Sequence, residues 1–316
     1  MRRQNGWQEI DKTLVVTKKE VSVFEGFTTT TIETSGARIH LRYGGNGPPL
    51  LLLHGNPATH LTWHKIANQL AEHYTVVATD LRGYGDSIGP EEGGPNHENY
   101  SFRAMAQDQV EVMQALGFER FYVAGHDRGA RTTHRLCLDH PDRVIKAAVL
   151  DILPSQYVWT HVDKAWATSS WHWTFMIQPA DFPERLMASV PADWFMRQKL
   201  SKNGRGLDIF TKEVFDDYVR CFNWKTIRAS CEDYRACATI DLELDTADLN
   251  RGNHIQVPLL VLWGKHGGVG THPDVLSVWQ ERAVLPVIGA STESGHYVPE
   301  EAPDETLDWF LRFFTE

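Results

Sequence analysis

Cysteine is scarce in this chain, with four in 316 residues, at Cys137, Cys221, Cys231 and Cys237. No two of them make a C-x-x-C pair or a zinc-type cluster, so neither a structural zinc centre nor a dithiol redox site is expected. The thiols read as free and buried, in a cytoplasmic protein. Long apolar runs are missing too: no stretch approaches the roughly 18 residues of a membrane span. Met1 to Asp11 is polar and carries no apolar core, which is not the pattern of a signal peptide. Positive charge is in deficit, 31 Lys and Arg against 41 Asp and Glu, for a net charge of -10. That balance argues against nucleic acid and anionic membranes as partners. Internal repeats and low-complexity tracts are absent as well, which excludes a solenoid or an array.

What remains is an ordinary globular composition, 42% apolar and 23% charged. The length suits one large α/β domain with an inserted subdomain. Phe24 to Glu33 and Ala37 to Tyr43 alternate like antiparallel edge strands. Leu50–Leu53, Val76–Thr79, Ile145–Leu150 and Val257–Trp263 are short apolar runs, as expected of strands covered on both faces. Ala283–Ile288 is expected to be the last strand. Helical spacing runs from Phe102 to Leu116, from Ala130 to His140 and from Glu305 to Phe314. Strands alternating with helices imply a mostly parallel, doubly wound sheet, with catalytic groups at the carboxyl ends of strands. After Pro154 the composition changes, and six of the eleven tryptophans fall between Trp159 and Trp224. We therefore expect a helical cap over residues 154–240, inserted into a core made of 1–153 and 241–316.

The chain turns on Gly125-His126-Asp127-Arg128-Gly129, between the apolar run Phe121–Ala124 and the helix that follows. This is the frame of a nucleophile elbow, G-x-S-x-G, with aspartate in place of serine. Aspartate also caps helices well. The paired glycines and the strand-end position favour a nucleophile instead. Arg128 and Arg131, three apart in the first helical turn, share a face. Two cations at a helix N-terminus are unfavourable unless an anion answers them. The bland alternative is a pair of surface arginines bonded to Asp139 or Asp142, and Arg135 reads as such a residue. His296, in Gly295-His296-Tyr297, is placed to be a base near neutral pH. The usual position for its acid partner, after Val257–Trp263, reads Gly264-Lys265-His266 and holds no acid. Asp151, at the end of the preceding core strand, is the best substitute.

With the His54-Gly55-Asn56-Pro57 loop, the Asp80–Gly85 turn, the elbow and the late Gly-His, the chain resembles the α/β-hydrolase fold over nearly its whole length. Three runs resemble the fluoroacetate dehalogenases more closely: Gly125–Arg131, Leu150–Pro154 and Trp171-His172-Trp173. The resemblance implies that Asp127 displaces halide from a haloacid and forms an ester. His296 and Asp151 then hydrolyse it, while Arg128 and Arg131 clamp the substrate carboxylate. It implies His172, Trp173 and Tyr234 as halide donors, and the backbone N–H groups of Asn56 and Arg128 as the oxyanion hole. By composition alone the cap aromatics would be packing, as Trp171 is expected to be. His54-Gly55 and Asp80–Gly85 read as structural. No metal or organic cofactor is implied, since a side chain covers each role. The expected partner is a small haloacid, and relatives of this kind suggest a homodimer. The enzyme alternatives are an epoxide hydrolase or a haloalkane dehalogenase with the same triad. A binding protein that has lost turnover would be expected to lack a triad member, and this chain keeps all three.

Overall fold

In the computed structural model the described residues are 23–201 and 206–315, so the polar segment Met1–Asp11 lies outside them. Eight strands form one sheet in the order β1-β2-β4-β3-β5-β6-β7-β8. They are β1 (Thr28–Glu33), β2 (Arg38–Gly44), β3 (Pro49–Leu53), β4 (Thr75–Thr79), β5 (Phe121–His126), β6 (Val144–Leu150), β7 (Leu259–Gly264) and β8 (Ile288–Thr292). β2 is antiparallel to both β1 and β4, and every pairing from β4 to β8 is parallel. Leu50–Leu53, Val76, Val77, Val123 and Ala147–Leu150 are fully buried. That is why these strands read as continuous apolar runs and not as alternation. The strand order reverses at β3, so the carboxyl ends of β3 and β5 border the crevice where such sheets bind ligands.

The last strand departs from expectation. Ala283 makes only an isolated bridge to Ile255, and Pro286 follows, which can donate no ladder bond. The chain joins the sheet later, at Ile288, and Gly289 fits there because a Cβ would collide with the Val261 carbonyl. As an edge strand, β8 does not need the apolar run that marks a central one.

α1 (Phe102–Ala115) and α2 (Arg128–Asp139) pack against each other, with α2 lying along β5 and β6. Between β6 and β7 the chain is helical: α3 (Ser155–Thr160), Lys164–Ser169, α4 (Trp171–Met176), Phe182–Ala188, α5 (Ala192–Leu200), Lys212–Cys221, α6 (Trp224–Ala238) and α7 (Ile240–Arg251). α8 (Val298–Glu301) and α9 (Pro303–Thr315) close the chain. α6 begins at Asn223, whose side chain accepts the Lys225 and Thr226 N–H groups. It puts Ser230, Asp233 and Tyr234 on one buried face, as spacings of three and four require. Asp245 and Asp248 of α7 bond Arg135 of α2 at 2.7 and 2.6 Å. On that ground we propose that α7 belongs with the core and that the helices of 154–240 form the cap. Arg135 is thus no surface residue: it is buried, and Asp139 is only one of its three carboxylates. The four cysteines are free and buried. Among the described residues no helix is long and apolar enough to cross a membrane.

Candidate active site

Asp127 stands between β5 and α2 with φ 50° and ψ -114°. A non-glycine residue at positive φ is strained, and it is held there by the packing around it. Gly129 lets the start of α2 press against β3, since a Cβ would fall on the Leu53 carbonyl. Gly55 does the same for the nucleophile, because a Cβ there would overlap Asp127 Cβ. The turn thus thrusts the carboxylate out at the carboxyl end of the sheet. Its Oδ1 accepts the Asn56 backbone N–H at 2.9 Å.

His296 lies across from it. Nδ1–H donates to Asp151 Oδ2 at 2.7 Å, and Nε2 is 3.7 Å from Asp127 Oδ2. Asp151 is anchored in turn by the Gly264 N–H, 2.8 Å from Oδ1, and its own φ is 52°. Burial opposes charge on every member. For His296 that burial is more than offset by the hydrogen bond and charge of Asp151, then by Asp127 and Glu301, and its pKa is raised. For Asp127 burial is likewise outweighed, by His296 and then by Arg128 and Arg131, which hold the carboxyl well below its ordinary range. For Asp151 burial wins and its pKa rises. Asp127 is therefore an anion at neutral pH, and an imidazole faces it with its second nitrogen committed to a carboxylate.

The two arginines differ. Arg131 lines the cavity above Asp127, with Nη1 donating to the Leu153 carbonyl at 3.0 Å and Ser155 Oγ at 2.9 Å. Its Nε is buried without a protein partner. Arg128 is fully buried and is not part of the cavity wall. Its Nε donates to Asp233 Oδ2 at 2.9 Å and its Nη2 to Asp233 Oδ1 and the Asp233 carbonyl. Only Nη1 is left without a protein partner. The expected pair of open forks is thus one cavity-facing guanidinium and one that an internal carboxylate has already engaged along an edge. The two cations also stack on the cap aromatics. Arg131 Cζ is 4.6 Å from the Trp173 ring centre, and Arg128 Cζ is 4.2 Å from that of Tyr234.

Trp173 and Tyr234 are buried and meet edge to face at 5.7 Å, and His172 meets Tyr234 at the same distance. All three line a cavity of about 660 Å³ together with Asp127, Arg131 and His296. Trp171 packs against Phe175, with ring centres 5.7 Å apart, yet it is 41% exposed and sits at the cavity wall. The wall also takes in Tyr157, whose hydroxyl is 2.9 Å from His272 Nε2, and Lys199 of α5. The Asn56 side chain is turned away to Ser230 Oγ (3.0 Å) and Tyr84 OH (3.4 Å), leaving its backbone N–H as the donor near Asp127.

His54 and Asp80 hold loops, as read from the sequence: His54 donates to the Gly55 carbonyl and accepts the Leu81 N–H. Among the described residues one grouping has metal-ligand chemistry: His40, His60 and Asp80. The Asp80 carboxylate is already committed, accepting the His60 N–H at 2.7 Å, His60 Nδ1–H at 2.9 Å and the Asp86 N–H at 3.0 Å. We build no cofactor on it.

Sequence reasoning passed over Asp233, Tyr84 and Glu301. The sole hint was position: Asp233 adjoins Tyr234, and Glu301 ends the short helix that starts two residues after His296. His126, beside the nucleophile, was read only as part of the elbow frame. Its Nε2–H donates to the His296 carbonyl at 2.7 Å, and burial with nearby His296 holds its pKa down to about 3.

The sequence matches the alpha/beta hydrolase fold family over residues 48–293. It is 42% identical over 297 residues to the fluoroacetate dehalogenase of a Burkholderia species, spanning 93% of this chain and 96% of that relative. The soluble epoxide hydrolase of Corynebacterium sp. strain C12 is 31% identical over 289 residues, 89% of this chain and 94% of its own. A solved structure from Nostoc sp. PCC 7120, described as an alpha/beta hydrolase, superposes with a TM-score of 0.90 at 52% identity, covering 93% of this chain and 99% of that one.

Proposed function

The chain belongs to the alpha/beta hydrolase fold family and to the fluoroacetate dehalogenase group within it, and from that premise we propose that it hydrolyses haloacetates, turning fluoroacetate into glycolate and fluoride. The observation that carries the reading is Arg131. A buried guanidinium in the wall of the cavity that holds Asp127 needs an anion, and a substrate carboxylate supplies one. Held there, the substrate presents its α-carbon to Asp127.

An Asp127 oxygen forms a bond to that carbon as the carbon–halogen bond breaks, and the halide leaves with the electron pair. Tyr234 O–H, Trp173 N–H and His172 N–H stabilise the developing halide charge; Arg128, stacked under Tyr234, adds a fixed positive field. His296 Nε2 then takes a proton from water. The resulting hydroxide adds to the Asp127 carboxyl carbon, and the backbone N–H groups of Asn56 and Arg128 hold the oxyanion. Collapse expels glycolate, which receives the proton from His296, and Asp127 is restored. The net change is one water consumed and one halide and one proton released. A cytoplasmic setting and a homodimer belong to this reading through the family likeness.

Fluoride release from fluoroacetate by the purified protein tests it, with Asp127→Asn as control and chloroacetate in parallel. Fluoride from the wild type alone supports the whole reading. Chloride without fluoride keeps the nucleophile and Arg131 but removes the three halide donors. Silence on both acids overturns it. One observation favours an epoxide hydrolase as the second reading: Tyr157 and Tyr234 both line the cavity, and two phenols suit the protonation of an epoxide oxygen. Against it, a neutral epoxide leaves Arg131 unanswered.

A further inference from the structure

Glu301 closes α8, five residues after His296. Its carboxylate straddles the histidine: Oε2 accepts the Gly295 N–H at 2.7 Å and Oε1 accepts the Tyr297 N–H at 3.0 Å. The His296 carbonyl between them accepts His126 Nε2–H at 2.7 Å. The His296–Tyr297 peptide is thus held at both its N–H and its carbonyl, and the Ser294–Gly295 peptide at its N–H. The loop is also pressed onto the end of β7, where a Cβ on Gly264 would collide with the Gly295 carbonyl. Glu301 is buried, and backbone N–H groups engage both of its carboxylate oxygens, while the charge of Lys65 acts on it from nearby. A buried carboxylate is costly unless its bonds and its charge are answered. A neutral amide could accept one of these two N–H groups well and would set its NH₂ against the other.

The charged and titratable groups facing His296 are Asp151 of β6, Asp127 and His126 at the elbow, and Glu300 and Glu301 of α8. Glu300 is a weaker influence at neutral pH, since burial pushes its pKa up to about 8 and it accepts the Tyr218 hydroxyl at 2.8 Å. His126, held neutral, adds no charge there. Once Asp127 is esterified its charge is gone. Asp151 and Glu301 are then the carboxylates left to support an imidazolium.

We propose that Glu301 is a positioning residue for the base: it fixes the His296 backbone so that one imidazole nitrogen meets Asp151 and the other faces Asp127, and its charge supports the imidazolium formed when water is deprotonated. This rests on the reading of His296 as the base of ester hydrolysis. Its mark is therefore on the second step and not on halide displacement.

The test uses chloroacetate and compares the wild type with Glu301→Gln and Glu301→Asp. In Glu301→Gln, rapid mixing should give a burst of about one chloride per chain, then steady turnover slowed roughly 10- to 100-fold. kcat and KM should fall together with kcat/KM unchanged, because kcat/KM reports the step that precedes the defect. Mass spectrometry of the quenched protein should find the carboxymethyl ester on Asp127. The pH at which ester hydrolysis rises should move to lower pH by on the order of half a unit, since a nearby negative charge has been removed. Glu301→Asp keeps the charge but is too short to reach both N–H groups. It should slow the same step with the pH limb in its wild-type place. If Glu301→Gln does not fold, the aspartate variant still carries the ester and burst readouts. Equal loss of kcat/KM and kcat in both variants, with no ester and no shift of the limb, would reduce Glu301 to packing and overturn the inference. Absence of chloride release by the wild type would instead strike the function itself.

Discussion

The Asp233 carboxylate lies along one edge of the Arg128 guanidinium, taking Nε at 2.9 Å and Nη2 on its other oxygen, with both side chains fully buried. The Tyr84 hydroxyl donates to the same carboxylate at 2.6 Å and accepts the Asn56 amide at 3.4 Å. One chain of bonds thus links the loop after β3, the elbow and α6. It sets α6 in register on the elbow, and Tyr234 with it. Asp233 also more than offsets the burial of Arg128 and raises its pKa far above the ordinary value.

Breaking this pair should be felt first in stability. Asp233→Asn leaves Arg128 buried with an amide in place of its counter-ion, and the expected loss is about 3–5 kcal/mol. Adding Arg128→Met should recover part of that loss in the double variant, because an apolar side chain of similar reach carries no charge to strand. Thermal melts of the wild type and the two variants check both statements. An Asp233→Asn protein as stable as the wild type would show that the pair is not carrying the elbow.

Arg131 should govern the affinity for acids and little else. Its Nη1 is pinned by Leu153 and Ser155, so the planar group is held in one orientation before substrate arrives. Lysine offers a point charge and cannot make the same bonds. Arg131→Lys should lower kcat/KM for chloroacetate by roughly 10- to 100-fold, the worth of one charge-assisted hydrogen bond. Any turnover of a neutral epoxide should be much less affected. Near-wild-type haloacid kinetics would remove Arg131 from the substrate site.

How far this could be read in advance follows from where each residue sits. Asp127 and His296 were visible because glycines flank them and apolar runs lead to them, and Asp151 because a strand ends there. All three depend on local patterns within a few residues. The commitment of Arg128 depends on Asp233, 105 residues away, and on how α6 lies across the elbow, which no local pattern encodes. The cap helices are short, several of six or seven residues, and hold together through aromatic contacts. Periodicity is weak over so few turns, so the change of composition after Pro154 was legible while the individual helices stayed hidden. Roles for His172, Trp173 and Tyr234 came from resemblance, since an aromatic cluster looks alike whether it packs or binds.

The charge around His296 sets the pH response. Burial pulls its pKa down, but the Asp151 bond and charge, with Asp127 and Glu301, bring it above the ordinary histidine value. The base acts when neutral, so in the free enzyme the neutral fraction rises with pH through a value above about 6.5. In the ester the Asp127 charge is absent, which lowers that value. The midpoint for ester hydrolysis, followed by single turnover with chloroacetate, should therefore lie below the His296 titration seen by NMR in the free protein. Asp151→Asn should lower both. Coincident midpoints would mean that Asp127 does not act on the base.

Asp241 makes a prediction about stability that is separate from the chemistry. It is buried on α7, accepts the Phe102 N–H at 3.0 Å on Oδ1, and its Oδ2 has no protein partner. Burial, then the charge of Asp245, pushes its pKa up to about 8. A carboxyl raised on folding binds its proton more tightly in the native state than in the unfolded one. Its contribution to stability is therefore present below the unfolded value of about 4 and is lost as pH rises from about 4 to about 8. Asp241→Asn keeps an oxygen for the Phe102 N–H and removes the charge. It should melt with the wild type near pH 4 and above it at pH 8.5, by up to a few kcal/mol. Melting curves taken across that range decide the matter. A variant less stable by the same margin at every pH would mean that Asp241 is held as an anion throughout and that its value lies in its bonds alone.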